Sequence, residues 1–216
     1  MKKQLLALVF CLSFWSAAHA QLQKGSWMAD GQVGLSSNNQ NNESTNASWR
    51  YATSDHRNQF TLSPGIGYFI QDNLALGLSP VFTHGWSKGQ SGQNDPTRGN
   101  SFGYGIGVFS RKYIPTGEKV SFFGDLQIAH VWGNSGWLET GASDRTVLTR
   151  SRSFEGSASI GIQYLIADFL GLHLQSALVS FQERKVTGEA FEGNYSYTTL
   201  SGGLFSSFQI GASVFF

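Results

Sequence analysis

The chain predicts an all-β fold, an eight-stranded antiparallel up-and-down transmembrane β-barrel, on three observations. Eight stretches alternate apolar with small or polar residues, at 25–36, 58–70, 73–84, 101–112, 120–132, 152–165, 169–181 and 202–216. That period of two is the signature of strands with unlike faces. The connectors 37–57, 71–72, 85–100, 113–119, 133–151, 166–168 and 182–201 alternate long and short, so all the long ones fall at one end. Finally, the bulk lies on one face while Gly, Ser and Gln fill the other. A soluble barrel does the reverse, placing large apolar side chains inside and charge outside. A closed sheet facing hydrocarbon needs apolar residues outside and all its backbone groups paired.

Residues 1–20 read as a secretory signal peptide. Lys2 and Lys3 form the positive start, Leu5 to Trp15 the apolar core, and Ala18-His19-Ala20 a small-x-small cleavage site. The apolar run falls short of the ~20 residues that span a bilayer. Cys11, the single cysteine, lies in this segment, so the remaining domain, 21–216, holds neither disulfide nor thiolate metal site. Without Lys2 and Lys3 the chain carries 13 basic and 14 acidic residues, a formal charge of −1, which points to no nucleic-acid partner.

The strands repeat one pattern. In 58–70, Phe60, Leu62, Pro64, Ile66, Tyr68 and Ile70 oppose Gln59, Thr61, Ser63, Gly65, Gly67 and Phe69. In 101–112, Phe102, Tyr104, Ile106 and Val108 oppose Ser101, Gly103, Gly105, Gly107 and Phe109; in 152–165, Phe154, Ala158, Ile160, Ile162 and Tyr164 oppose Glu155, Ser157, Ser159, Gly161 and Gln163. The small polar face suits the interior of an eight-stranded barrel, which side chains just fill. At 12 to 15 residues the strands exceed the ~9–11 needed to cross a bilayer. Two aromatic belts are expected: Tyr68, Tyr113, Tyr164, Phe169 and Phe216 at the turn end, Trp86, Phe102, Trp132, Trp137 and Phe154 at the loop end. His84 and His130 point outward near the loop end. Pro64 and Pro80 each remove a ladder donor and sit opposite one another to within a step, predicting a bulge or weak point. In the last strand Phe208, Ile210, Ala212, Val214 and Phe216 share one face, with Ser207, Gln209, Gly211 and Ser213 on the other.

Together these features resemble the small eight-stranded outer-membrane β-barrel family, in the company of OmpX and the transmembrane part of OmpA. The resemblance implies location in the outer membrane of a Gram-negative-type bacterium, with short periplasmic turns and longer extracellular loops. It also implies outer-membrane lipid and lipopolysaccharide as surroundings. Phe208, Ile210, Val214 and the terminal Phe216 resemble the signal read by the barrel assembly machinery. The peptidoglycan-binding domain of OmpA has no counterpart here. Members of the family include adhesion and defence proteins, narrow channels and a few lipid A-modifying enzymes.

The candidate chemistry is sparse. Asp30, Arg111, Asp125, Glu155 and His173 fall on inward positions and form a candidate polar network, because buried charges need partners. The family's lipid A deacylases carry His-x-Ser, which is absent. In His173-Leu174-Gln175-Ser176, residues three apart face opposite sides of a strand. Ser54-Asp55-His56 holds the three triad residue types, but a triad is a spatial arrangement. Gly103-Tyr104-Gly105-Ile106-Gly107 has no helix after it to cradle a phosphate; these glycines face a lumen shared with Phe109, Phe123, Phe181 and Phe205. Asn42-Glu43-Ser44, Asn46-Ala47-Ser48 and Asn194-Tyr195-Ser196 match glycosylation acceptors of a kind that Asn-rich loops produce by chance. No metal-ligand spacing, cofactor motif or catalytic residue is expected. The expected role is structural or interactive at the cell surface, with loops 37–57, 85–100, 133–151 and 182–201 open to an extracellular ligand. The alternatives are a narrow pore for ions or small hydrophobic solutes, and a lipid A-modifying enzyme.

Overall fold

A computed structural model describes residues 22–46, 49–91, 97–138, 146–188, 194–203 and 207–216. The segment read as a signal peptide and Phe205 lie outside these residues, as does the side chain of Trp137. Among the described residues nine strands follow in order: β1 (Trp27–Asn46), β2 (Trp49–Gln71), β3 (Leu74–Ser91), β4 (Thr97–Pro115), β5 (Val120–Leu138), β6 (Thr146–Ala167), β7 (Leu170–Gly188), β8 (Asn194–Gly202) and β9 (Phe208–Phe215). Each pairs antiparallel with its neighbours, and β6–β7 and β1–β9 contacts complete one ring. Because β8 and β9 are two pieces of one staircase along β7, the ring is an eight-stranded barrel.

The short turns are Asp72-Asn73, 116–119 and Asp168-Phe169, within three residues of the expected ones. Asn73 takes the left-handed conformation, φ 64°, that a two-residue turn demands and asparagine tolerates. At the other end the expected loops are mostly strand. β1 and β2 stay in register out to the pair Asn46 and Trp49, and the remaining hairpins also run well past the expected boundaries. The reason is physical: beyond the bilayer both strand faces meet water, so alternation vanishes while pairing continues.

Two other expectations are corrected. The expected last strand, 202–216, is not one unit: Gly203, at φ 151°, and Ser207 stand outside the ladder, and β9 begins at Phe208. In β7, Ala158 pairs with Val179 and Ser159 with Ala177, leaving Leu178 as an extra residue. This bulge flips everything after it, so Phe181, expected in the lumen, stands in register with outward Gly156 and Leu200. At the prolines, Leu62 pairs with Phe82 and Ile66 with Leu78. Register is thus equal on both sides and Pro64 faces Pro80. The ladder is interrupted there without a bulge, and Ser79 Oγ donates to the Pro64 carbonyl at 3.0 Å.

The outer surface is apolar through the middle of every wall. Ile106 is 52% exposed, Ile160 47% and Phe208 45%, exposures that hydrocarbon tolerates and water does not. From Ile114 to Phe102, β4 climbs ~40 Å at ~3.3 Å per residue, or ~28 Å of bilayer normal at a ~45° tilt. Trp27 and Tyr68 pack at 5.0 Å at the turn-end rim, and Tyr104 and Trp132 stack at 5.9 Å at the other. Tyr113, expected in the turn-end belt, instead points inward and is 1% exposed. Among the described residues no helix is long and apolar enough to cross a membrane; crossing falls to the strands.

Candidate functional site

Inside the turn-end half, inward positions converge on Arg111, which has no exposed surface. Its Nε donates to Asp125 Oδ2 at 2.7 Å. Nη1 and Nη2 donate to the two oxygens of Asp30 at 3.1 and 3.3 Å. The planar fork suits this double duty, since guanidinium meets carboxylate with paired donors. Arg111 and Asp125 are rung partners on β4 and β5, whereas Asp30 comes from β1 across the lumen. The guanidinium lies 4.6 Å from the Phe123 ring centre and 5.7 Å from that of Phe109.

Asp30 is saturated from its own side of the barrel. It accepts from Ser213 Oγ at 2.6 Å and from Gln32 Nε2 at 2.8 Å. His173 Nδ1 lies 3.8 Å from Asp30 Oδ1 and 3.3 Å from Ser213 Oγ. Beneath and around this network sits an apolar cluster of Met28, Phe69, Phe109, Tyr113, Phe123 and Phe215, all buried. Glycines make the space: a Cβ on Gly161 would run into the Phe123 ring, and one on Gly211 into His173. Leu22 joins the cluster and accepts from Asn73 N at 2.6 Å, which ties the chain before β1 to the first turn.

Four of the five charged or titratable residues expected in the lumen, Asp30, Arg111, Asp125 and His173, therefore meet. Glu155 does not. It lies four residues towards the hairpin end from Ser159, the rung partner of Asp125. There it accepts from Ser153 Oγ and Gln182 Nε2, each at 2.7 Å. It lines a polar cavity of about 280 Å³, also walled by Gln59, Thr83, Gln127 and Gln209. Above this, a second cavity of about 490 Å³ shares Gln59, Gln182 and Thr199 and reaches Trp86 and Arg184. The lumen is thus polar and roomy towards the hairpins and packed towards the turns. The alternation predicts a mainly hydrophilic filling with Phe69, Phe109 and Phe123 turned inward; those three meet in the plug, together with Met28, Tyr113 and Phe215, which makes the turn-end half more apolar than expected. Ser213 already stands on the inward face of the last strand in the sequence, and carrying that alternation one step further reaches Phe215.

Asp30, His173 and Ser213 are the residue types of a nucleophilic triad, but their arrangement is different. The serine hydroxyl donates to the aspartate, and the same imidazole nitrogen, Nδ1, faces both residues. A triad needs the serine at one ring nitrogen and the carboxylate at the other. Here Nε2 is buried and, among the described residues, without a partner. Asp55 and His56 fall on opposite faces of β2, and Asp55 pairs with Arg57 at 2.7 Å. Among the described residues no three His, Cys, Asp or Glu side chains gather as metal ligands.

Ring closure, the apolar outer band and the filled interior define a small membrane-spanning β-barrel of the build found in bacterial outer membranes. No protein-family model matches the chain, and no curated protein does. Among solved structures it is similar to the outer membrane protein OprG of Pseudomonas aeruginosa, at 12% identity over 90% of this chain and 97% of that one, TM-score 0.49. It is also similar to Ail, the attachment invasion locus protein of Yersinia pestis, at 12% identity over 90% and 100%, TM-score 0.41. The outer membrane protein AlkL shares 15% identity over 91% and 92%, TM-score 0.38. At this distance none of them assigns an activity to the chain.

Proposed function

We propose that this is an outer-membrane barrel of a Gram-negative-type bacterium, with a stoppered lumen and a structural or surface-interaction role exercised by its tall hairpins, without catalytic activity. The supporting observation is the plug: Arg111, Tyr113, Phe69, Phe215 and Met28 are each no more than 1% exposed within one cross-section. Such packing obstructs a continuous water path. The hairpin ends, in contrast, stand free. β2 alone, 23 residues, reaches roughly 50 Å along the normal at ~45° tilt, against ~30 Å of hydrocarbon. In this reading Phe208, Ile210, Val214 and Phe216 serve as the assembly signal, and the lipid face meets lipopolysaccharide.

Planar-bilayer recording of the refolded protein tests it. The expected trace is silent, whereas discrete openings that vanish on neutralising Asp125 and Glu155 would establish a pore instead. One observation favours that second reading: among the described residues β8 pairs with β7 alone, and β1 beyond Leu35 with β2 alone. The upper cavity thus borders a seam through which a small hydrophobic solute could leave sideways. Solute uptake into vesicles at the protein-free rate excludes this route. Lipid A of unchanged acyl pattern in expressing cells is the expected result for a protein that is not an enzyme.

A further inference from the structure

Above the loop-end aromatic belt the outer wall of β6 and β7 changes character. On β6 the outward series Ile160, Ala158, Gly156, Phe154 gives way to Arg152 and Arg150. On β7 the bulge at Leu178 turns Lys185 outward, directly opposite Arg152. Like charges facing one another across a rung are destabilising. The nearby carboxylate is Glu183, 3.7 Å from Lys185 Nζ; among the described residues neither arginine has an ion pair. Three cations against one anion leave an excess of two positive charges at headgroup height. The surface there is concave, about 790 Å³, walled by these cations with Asn134 and the stacked pair Tyr104–Trp132.

We propose that this concavity binds a phosphorylated glycolipid headgroup of the outer leaflet, the phosphate-bearing sugar end of lipopolysaccharide. Resting on the membrane orientation proposed above, it deepens that reading from a generic lipid contact to a defined site. A phosphate seated between Arg152 and Lys185 converts their repulsion into two charge-assisted contacts, Arg150 meets a further anionic group, and the arginine fork suits phosphate oxygens. Trp132, in register with Arg152, offers its ring to the sugar at the boundary where indole is favoured. Charge alone would attract any anionic lipid; the cleft beside the aromatic pair is what selects a sugar-borne phosphate.

The test uses the refolded protein in phosphatidylcholine nanodiscs, titrated with lipopolysaccharide and followed by tryptophan fluorescence. The heat-sensitive band shift of the folded barrel is read first for every variant. Wild type is expected to bind, and R150Q/R152Q/K185Q to bind about tenfold or more weakly while keeping the folded band. K88Q/R98Q, which neutralises another outward basic pair on β3 and β4, should bind like wild type. The proposal is overturned if the triple variant binds unchanged, if K88Q/R98Q loses as much, or if phosphatidylglycerol or dephosphorylated lipopolysaccharide competes equally. Should the triple variant lose its band, R152Q alone decides, with unchanged binding overturning the proposal. A wild-type chain that never enters the discs refutes the membrane reading, an outcome distinct from the others.

Discussion

Replacing Arg111 by methionine tests the plug most directly. The variant keeps most of the volume between Phe109 and Phe123 but leaves Asp30 and Asp125 buried without their cation. Three charge-assisted bonds at ~1.5–3 kcal/mol each would suggest a loss of about 5–9 kcal/mol. That sum overshoots, because deletion also relieves Arg111 of its own desolvation. Removing one partner from a buried ion pair typically costs ~3–5 kcal/mol, and this is the expected loss for R111M. The triple variant D30N/R111M/D125N removes both uncompensated charges and should return to within ~1–2 kcal/mol of wild type, since neutral replacements of buried charge clusters are often tolerated. Urea unfolding in phospholipid vesicles, followed by tryptophan fluorescence, reads both through the midpoint if the slope stays constant. An R111M loss below ~1 kcal/mol, or a triple variant no more stable than R111M, would refute the view that a compensated charge cluster holds the turn-end half together.

Other variants probe separate layers. Ile106→Arg, on the lipid face, should cost ~2–4 kcal/mol in the same assay if it lies near mid-bilayer, whereas Gln127→Arg in the wet upper lumen should stay within ~1 kcal/mol of wild type. Gly161→Val places methyl groups where the Phe123 ring lies and should lose ~1–3 kcal/mol by overpacking. Replacing both Pro64 and Pro80 by valine supplies the missing ladder donors and should stabilise by ~1 kcal/mol or more, with new slow-exchanging amides at both positions. Deleting Phe216 should lower assembled protein in cells while leaving refolding yield in detergent unchanged; equal assembly in cells would end its proposed role as a signal.

The sequence makes one kind of information plain and hides another. Alternation assigns faces, so Asp30, Arg111, Asp125, Glu155 and His173 could all be turned inward from the chain alone. It does not assign height. Only the rungs show that Asp30 reaches Arg111 while Glu155 sits four residues, or ~13 Å, further along its strand. A face assignment also survives only until the first bulge: Leu178 costs nothing visible in composition, yet it turns Phe181 out of the lumen and Lys185 towards the lipid. Tyr113 differs for a third reason: it falls in the expected connector 113–119, where alternation assigns no face, whereas β4 continues to Pro115. In the polar hairpins the signal is absent altogether, because two wetted faces carry no contrast.

The plug and the ring closure turn out to be one device. β1 and β9 share eight pairs, from Met28 with Phe215 to Leu35 with Phe208, and Trp27 and Phe216 extend the seam with backbone bonds of 2.7 and 2.9 Å. Two of the rungs also join through the lumen: Met28 and Phe215 pack in the apolar cluster, and Ser213 donates to Asp30. Arg111 then fastens Asp30 to Asp125 on the far wall. A cation buried at the centre thus restrains the seam where an up-and-down barrel is most easily opened, since closure is what removes the exposed edge. It follows that R111M should not loosen the barrel evenly. Amide exchange should accelerate first at Met28–Leu35 and Phe208–Phe215, while the β4–β5 ladder, held by neighbours on both sides, keeps its protection. Uniform acceleration across all strands would show that the network stabilises the lumen without guarding the seam.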